Sequence, residues 1–354
     1  MEPHVRDAAD DLSATLKPPT GRAARAFRIA LIALPLGVIG NIAYTLLATD
    51  RALLASIDRL PRAYLLAALA LTLVPWLTGT ARLLVWSRFL GHRIPLRQLL
   101  RMTLVVDLGS AVSPTAIGGE AFRWGMLVRH GVSHGAAATL ALMPKLEDAV
   151  FFALALPLAV IWTSAWQLPV VASSLRIIGD NVLTIAAILL LIAASAWLLS
   201  HGALRGHAGQ RIRDVTLRLA GRVRRRLRRA ALDARAAFAL IAAGGGSRFA
   251  LTLTLTAAHW VARYSVVSAL ALFLGAPFDP VLFWLLQWVV FTIMTFIPTP
   301  GATGGAELAF TAVYATLLPP GIIGLATAAW RLFTFYVPVG LAAAGFALLG
   351  RPVR

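Results

Sequence analysis

Several ionisable side chains of this sequence stand in apolar surroundings: Asp107, Glu120, Lys145, Glu147, Asp148, Arg263, Glu307 and Arg331. Such groups can carry a proton, hold an ammonium or a phosphate, or neutralise one another. Lys145 and Asp148 are three residues apart and share a helical face, so they can pair internally, while Glu147 points elsewhere. Arg331 has Thr334 at the equivalent place, so its counter-charge must come from Glu307 or from a ligand. Glu120 and Glu307 each follow a pair of glycines in a segment that breaks any helix. The first break is Ser113-Pro114-Thr115-Ala116-Ile117-Gly118-Gly119-Glu120, and the second runs from Pro298 through Pro300, Gly301, Gly304 and Gly305 to Glu307. A break of this kind frees backbone N–H groups beside a helix start, which suits an anionic phosphate. The alternative role for the two glutamates is an ion pair, Glu120 with Lys145 and Glu307 with Arg331, that fastens each break. Neither break has the GxxxxGK[ST] pattern of a nucleotide-binding P-loop.

Other chemistries have little to stand on. There is no cysteine, which removes thiol nucleophiles, disulfides and thiolate metal sites. The seven histidines show no metal-ligand spacing, and no cofactor is expected. His259, Glu147 and Asp148 are the acid–base groups that a membrane-embedded headgroup transferase would have to use.

The elements that position these residues are apolar helices. Of the 354 residues, 59% are hydrophobic and only 14% charged, whereas soluble domains carry about 25% charged residues. Apolar runs long enough to cross the roughly 30 Å of bilayer hydrocarbon recur from Phe27 onward. The expected fold is an all-α integral membrane protein with about six full spans, at 27–47, 64–87, 135–163, 180–200, 248–274 and 321–349, all helical because lipid offers backbone groups no other partner. Residues 1–26 are a polar tail, and the run from Phe27 is read as an anchor, not a removed signal peptide. The segments 97–130 and 281–318 have limbs too short to cross twice and are expected to be re-entrant hairpins that break at Pro/Gly and return to the side they came from.

The net charge of +18 follows from topology. On this span assignment the Lys and Arg residues gather on one side, with only Arg51, Arg59, Arg62 and Arg176 on the other, which puts both termini in the cytoplasm. No nucleic-acid partner is needed to account for the charge. The loop 201–246 is dense in arginine and carries Ile212, Val215, Leu219, Val223 and Leu227 at helical spacing, so it can lie on anionic inner-leaflet lipids or simply fix topology as a solvated helix. Six of the tryptophans, Trp76, Trp86, Trp162, Trp166, Trp284 and Trp288, read as interfacial belts or packing.

The loop also divides two similar membrane halves, 27–200 and 247–350. One constant offset brings Pro114 onto Pro300, Gly118-Gly119 onto Gly304-Gly305 and Lys145-Leu146 onto Arg331-Leu332; Phe89-Leu90-Gly91 matches Phe273-Leu274-Gly275 after a two-residue insertion. On the span assignment the repeats have opposite topology. Inverted repeats with broken helices near the midplane are an architecture of secondary transporters, with the site at the repeat interface.

Taken together, Trp76 through Arg93, Ser113-Pro114 with Gly118-Gly119-Glu120, Lys145-Leu146-Glu147-Asp148, Pro298-Thr299-Pro300-Gly301 with Gly304-Gly305 and Glu307, and Trp330-Arg331-Leu332 resemble the lysylphosphatidylglycerol synthase transmembrane family, the flippase-like module of the multiple peptide resistance factor. The resemblance covers about residues 25–350. Where that family often has Arg in an R-x-x-D pattern, this chain has Lys145 with Asp148. The resemblance implies transfer of a membrane lipid, such as an aminoacylated phosphatidylglycerol, between leaflets of the cytoplasmic membrane. It does not imply synthesis, because aminoacyl transfer belongs to a separate soluble domain, so the chain is expected not to be an enzyme. The expected substrate-binding set is Pro114, Gly118, Gly119, Glu120, Lys145, Asp148, Arg263, Pro300, Gly304, Gly305, Glu307 and Arg331. A homo-oligomer or a separate lipid-synthesising enzyme is the expected protein partner, and a non-transporting partner of a lipid or hopanoid pathway is the remaining alternative.

Overall fold

The computed structural model describes residues 60–112, 119–167, 241–297 and 299–350, with a few isolated positions elsewhere. The segments expected at 27–47 and 180–200 and most of the basic loop lie outside the described residues, as do Pro114, Gly118 and Pro298. Regular structure among the described residues is helical: α1 Ala63–Phe89, α2 Leu96–Val112, α3 Gly119–Arg129, α4 His134–Thr163, α5 Gly246–Phe273, α6 Pro280–Met294, α7 Gly305–Tyr314, α8 Pro320–Arg331 and α9 Val337–Gly350. A π-turn, Leu332–Tyr336, joins α8 to α9.

Helices α1, α4 and the rod Pro320–Leu349 are each long and apolar enough to cross a membrane. Helix α5 has the length, but Arg248, Thr252, Thr254, Thr256, His259 and Arg263 make it more polar. The shorter helices come as two pairs. Helix α2 spans about 26 Å and α3 about 17 Å, and α6 and α7 about 23 and 15 Å, at 1.5 Å per residue. Within each pair the helices pack on one another. The α2–α3 crossing is so close that a Cβ on Gly119 would run into the Val106 carbonyl, and Gly305 likewise packs against Ile297 at the turn between α6 and α7. Glycine therefore sits where α3 meets the α2 backbone in the first pair and where the Ile297 side chain closes on the turn in the second.

Helix ends follow local chemistry. Asp279 starts α6 by accepting hydrogen bonds from the N–H groups of Val281 and Leu282 at 2.8 and 2.9 Å, with Pro280 at the first helical position, where its missing N–H is no loss. Gly91 and Gly275, at φ +82° and +64°, close α1 and α5 in the same way: His92 N–H bonds to Ser87 O at 2.8 Å and Ala276 N–H to Ala271 O at 2.9 Å. These are the six-to-one bonds of a Schellman end, which needs a left-handed residue.

Contacts divide the chain into one unit of residues 1–137 with 254–354 and another of 138–253. Most of α4 belongs to the second. In the first, α6, α7 and α8 are tied by a buried polar knot. Gln287 donates to the Tyr314 hydroxyl at 2.9 Å and accepts from Trp330 Nε1 at 2.8 Å, while Tyr314 donates to the Phe283 carbonyl at 2.8 Å. Phe310 stacks between Tyr314 and Trp330, with ring centroids 4.5 and 4.7 Å away. In an apolar interior each of these polar atoms must find a partner, and here each helix supplies one to another.

Candidate functional site

The second Pro/Gly break is held by Arg331, the last residue of α8. Its Nε lies 3.0 Å from Glu307 Oε1, and its Nη2 donates to the Gly301 carbonyl at 2.5 Å. The other carboxylate oxygen, Glu307 Oε2, accepts the Gly304 N–H at 2.8 Å. One arginine and one glutamate thus span the turn from both ends. The Arg331 side chain is 1% exposed, and its guanidinium carbon lies 4.0 Å above the Phe335 ring. Gly301 takes φ +59° and brings its Cα against that ring, where a Cβ would collide. Thr303 adds a bond from its hydroxyl to the Pro300 carbonyl at 2.8 Å. The counter-charge that the sequence demands for Arg331 is therefore Glu307.

The π-turn directly after Arg331 displaces backbone carbonyls from the helical ladder, and Thr72 of α1 meets one of them. Its hydroxyl lies 3.0 Å from Phe333 O and 2.8 Å from Ala68 O. Single π-turns inside α-helices mark functional sites often enough to direct attention to what they line. Here they line a cavity of about 180 Å³ bounded by Asp107, Ser110, Arg263, Phe291, Gly301, Arg331, Thr334 and Phe335, among others.

Two further charges face this cavity. Asp107 on α2 accepts a hydrogen bond of 2.5 Å from Trp76 Nε1 on α1. Arg263 on α5 places its guanidinium 5.3 Å from the centroid of the Phe291 ring on α6, a cation–π contact. A smaller recess beside it shares Asp107, Arg263, Thr334 and Pro338 and reaches Thr72 and Trp76. The acid and the base are thus held by neutral aromatic groups on neighbouring helices, and both stay presented to the same space.

Of the expected site residues, Arg263 and Arg331 line this cavity; Pro300, Gly304, Gly305 and Glu307 form the turn that positions Arg331. In the first break, Gly119 makes the close crossing with α2, and Glu120, in the first turn of α3, pairs with Arg123 one turn later at 3.2 Å. Lys145 and Asp148 lie on α4, in the unit of residues 138–253. His259 is engaged by Thr78, 3.2 Å from its Nδ1, and packs against Trp260. Among the described residues no group of three or more His, Cys, Asp and Glu is arranged to hold a metal ion. Asp107 stands out as the cavity group that the motifs do not mark. Its signal in the sequence is its charge inside an apolar helix, and its partner Trp76 follows Pro75, a helix-interior proline.

Comparison with known proteins bears on the whole membrane region. A UPF0104 membrane protein of Archaeoglobus fulgidus is 25% identical over 283 residues, which cover 78% of this chain and 83% of that protein. The family model described as the lysylphosphatidylglycerol synthase TM region matches residues 26–342. That match takes in both Pro/Gly breaks, the Arg331 clamp and the Asp107–Arg263 cavity, and the chain belongs to that family.

Proposed function

We propose that the protein is a lipid transporter of the cytoplasmic membrane that moves an anionic or aminoacylated phospholipid, or a related lipid, between leaflets. The observation that carries this reading is the cavity that presents Asp107 and Arg263 among apolar helices. Charges at membrane depth are costly and are kept where they meet protein, water or a substrate. A headgroup with a phosphate and an ammonium finds an opposite charge for each: Arg263 for the phosphate, Asp107 for the ammonium. The acyl chains stay in the bilayer, so that only the polar part needs a path.

On this reading α2–α3 and α6–α7 are re-entrant hairpins, and the proline–glycine turns are the broken helices of an inverted repeat. Arg331 and Glu307 shape the second tip, and Lys145 and Asp148, three residues apart on α4, form a charge pair on their own helix. The protein carries out no group transfer; it hands on a lipid that a separate enzyme has made.

The test is a leaflet assay on the full chain reconstituted in proteoliposomes, with a headgroup-labelled phosphatidylglycerol and its lysyl ester. Arg263→Gln is expected to slow translocation of both lipids by about tenfold or more, since a charge-assisted contact is worth about 1.5–3 kcal/mol. Asp107→Asn is expected to slow the lysyl ester selectively. Unchanged rates in both variants would refute the reading.

A further inference from the structure

A second cavity lies at the opposite end of the α2–α3 pair from the break. It measures about 770 Å³ and is lined by Gln98, Arg101 and Val105 of α2, Phe122 and Arg129 of α3, and Phe346 of α9, among others. On α2 its Arg101 and the inner cavity's Asp107 are six residues apart, about 9 Å along the axis. The two spaces share no lining residue among the described residues.

The chemistry of this outer cavity is one-sided. Among the described residues, its charged lining is basic and includes no acid. Arg101 is held by neutral groups: its Nη1 donates to Gln98 Oε1 at 3.3 Å, and its guanidinium lies 4.7 Å from the Phe346 ring centroid. Its Nε is buried without a hydrogen-bond partner. Arg97, one turn earlier, donates to the Leu348 carbonyl at 3.3 Å, so two like charges stand four residues apart on α2, an arrangement that repels. An anion beside Arg101 relieves that repulsion, and Arg129 lines the same cavity. Apart from His130 the remaining side chains are apolar, Val105, Met126 and Phe346, and Phe122 stands 54% exposed. A basic end joined to an apolar wall, in a chain whose long helices suit a bilayer, fits one class of ligand: a phosphate that carries acyl chains.

We infer that this cavity is a binding site for the phosphate of an anionic phospholipid, with Arg101 and Arg129 on the headgroup and the Val105–Phe122–Phe346 wall on the first part of the chains. The site goes beyond the transport reading and does not depend on it, because a lipid can be held here whether or not the protein moves one.

Gly125 provides the test. It lines the cavity, and a Cβ placed on it meets nothing within 4 Å, so Gly125→Trp takes up cavity space while both arginines are kept. The full chain in neutral detergent is titrated with phosphatidylglycerol or phosphatidylcholine and bound lipid is counted by native mass spectrometry, with inorganic phosphate added in a third arm. Wild type is expected to bind phosphatidylglycerol at a site that phosphatidylcholine does not fill. Gly125→Trp is expected to lose that occupancy. Arg101→Gln with Arg129→Gln is expected to bind about thirtyfold more weakly, two basic contacts being removed, whereas Arg101→Lys stays within about threefold. Should the double variant fail to fold, Gly125→Trp decides alone. Wild-type occupancy in Gly125→Trp, equal filling by phosphatidylcholine, or displacement of the lipid by millimolar inorganic phosphate, the mark of a free-anion site, would each overturn the inference.

Discussion

Arg331 shows how a single side chain can be read two ways from sequence and one way from geometry. Its lack of an acid three residues on says that it must find a partner, and Glu307 is that partner. The pair also accepts the Gly304 N–H and caps the Gly301 carbonyl, so its first task is to fold the turn. Removal of one member of a buried pair leaves the other charge stranded and costs about 3–5 kcal/mol. Arg331→Ala is therefore expected to lower thermal stability in detergent by that order, and Arg331→Lys by less, because Lys keeps the charge but not the planar fork. Loss of transport in Arg331→Ala with an unchanged unfolding transition would instead make Arg331 a ligand for substrate. Glu120 has a partner on its own helix: its carboxylate lies 3.2 Å from Arg123 in the next turn, a contact that the spacing Glu-x-x-Arg offers.

At the scale of elements the sequence is most legible where local chemistry sets the boundary. The limits expected for the four spans that fall on described residues lie within a residue or two of the helices α1, α4, α5 and the rod Pro320–Leu349, where Gly91 and Gly275 end α1 and α5 and Pro320 opens the rod. The match of Phe89-Leu90-Gly91 to Phe273-Leu274-Gly275 has a structural counterpart in two identical helix ends. What periodicity cannot disclose are long-range pairings such as Trp76 with Asp107, whose partners lie on different helices. The Gln287 knot is another. A single glutamine in the apolar run Val281–Met294 gives no hint that it joins Tyr314 to Trp330. Gln287→Leu should destabilise the protein by about 1–3 kcal/mol through the stranded Trp330 N–H, and Trp330→Phe combined with it should recover part of that loss. A double variant no more stable than Gln287→Leu alone would mean that the knot is not what joins these helices.

For the whole molecule, the family is shown by the match over residues 26–342, and the insertion of its segments in a bilayer is the next quantity to measure. If α2–α3 and α6–α7 are re-entrant, reporters near His130 and His207 will read cytoplasmic, and ones near Leu168 and Phe278 will read periplasmic. A periplasmic reading at His130 would rule out the first hairpin, because α2–α3 would then cross the bilayer only once, and would make the two halves parallel. The +18 charge belongs to this scale as well. Replacement of Arg224, Arg225, Arg226, Arg228 and Arg229 by Gln is expected to weaken attachment to anionic vesicles and to spare translocation, provided that the reporters still give the same topology.

The π-turn after Arg331 also sets the phase of everything that follows it. An α-helix advances about 100° per residue, so one additional residue in a turn rotates the downstream rod by about that angle. It is this rotated face of α9 that presents Phe346 to Arg101, the Leu348 carbonyl to Arg97 and Gly345 to Leu104. Deletion of Thr334 should restore an uninterrupted α-helix and swing those residues away from α2, whereas substitution of Thr334 by Ala should leave the phase intact. A length change of one residue at this point, far more than any change of side chain, would then uncouple α9 from the first hairpin.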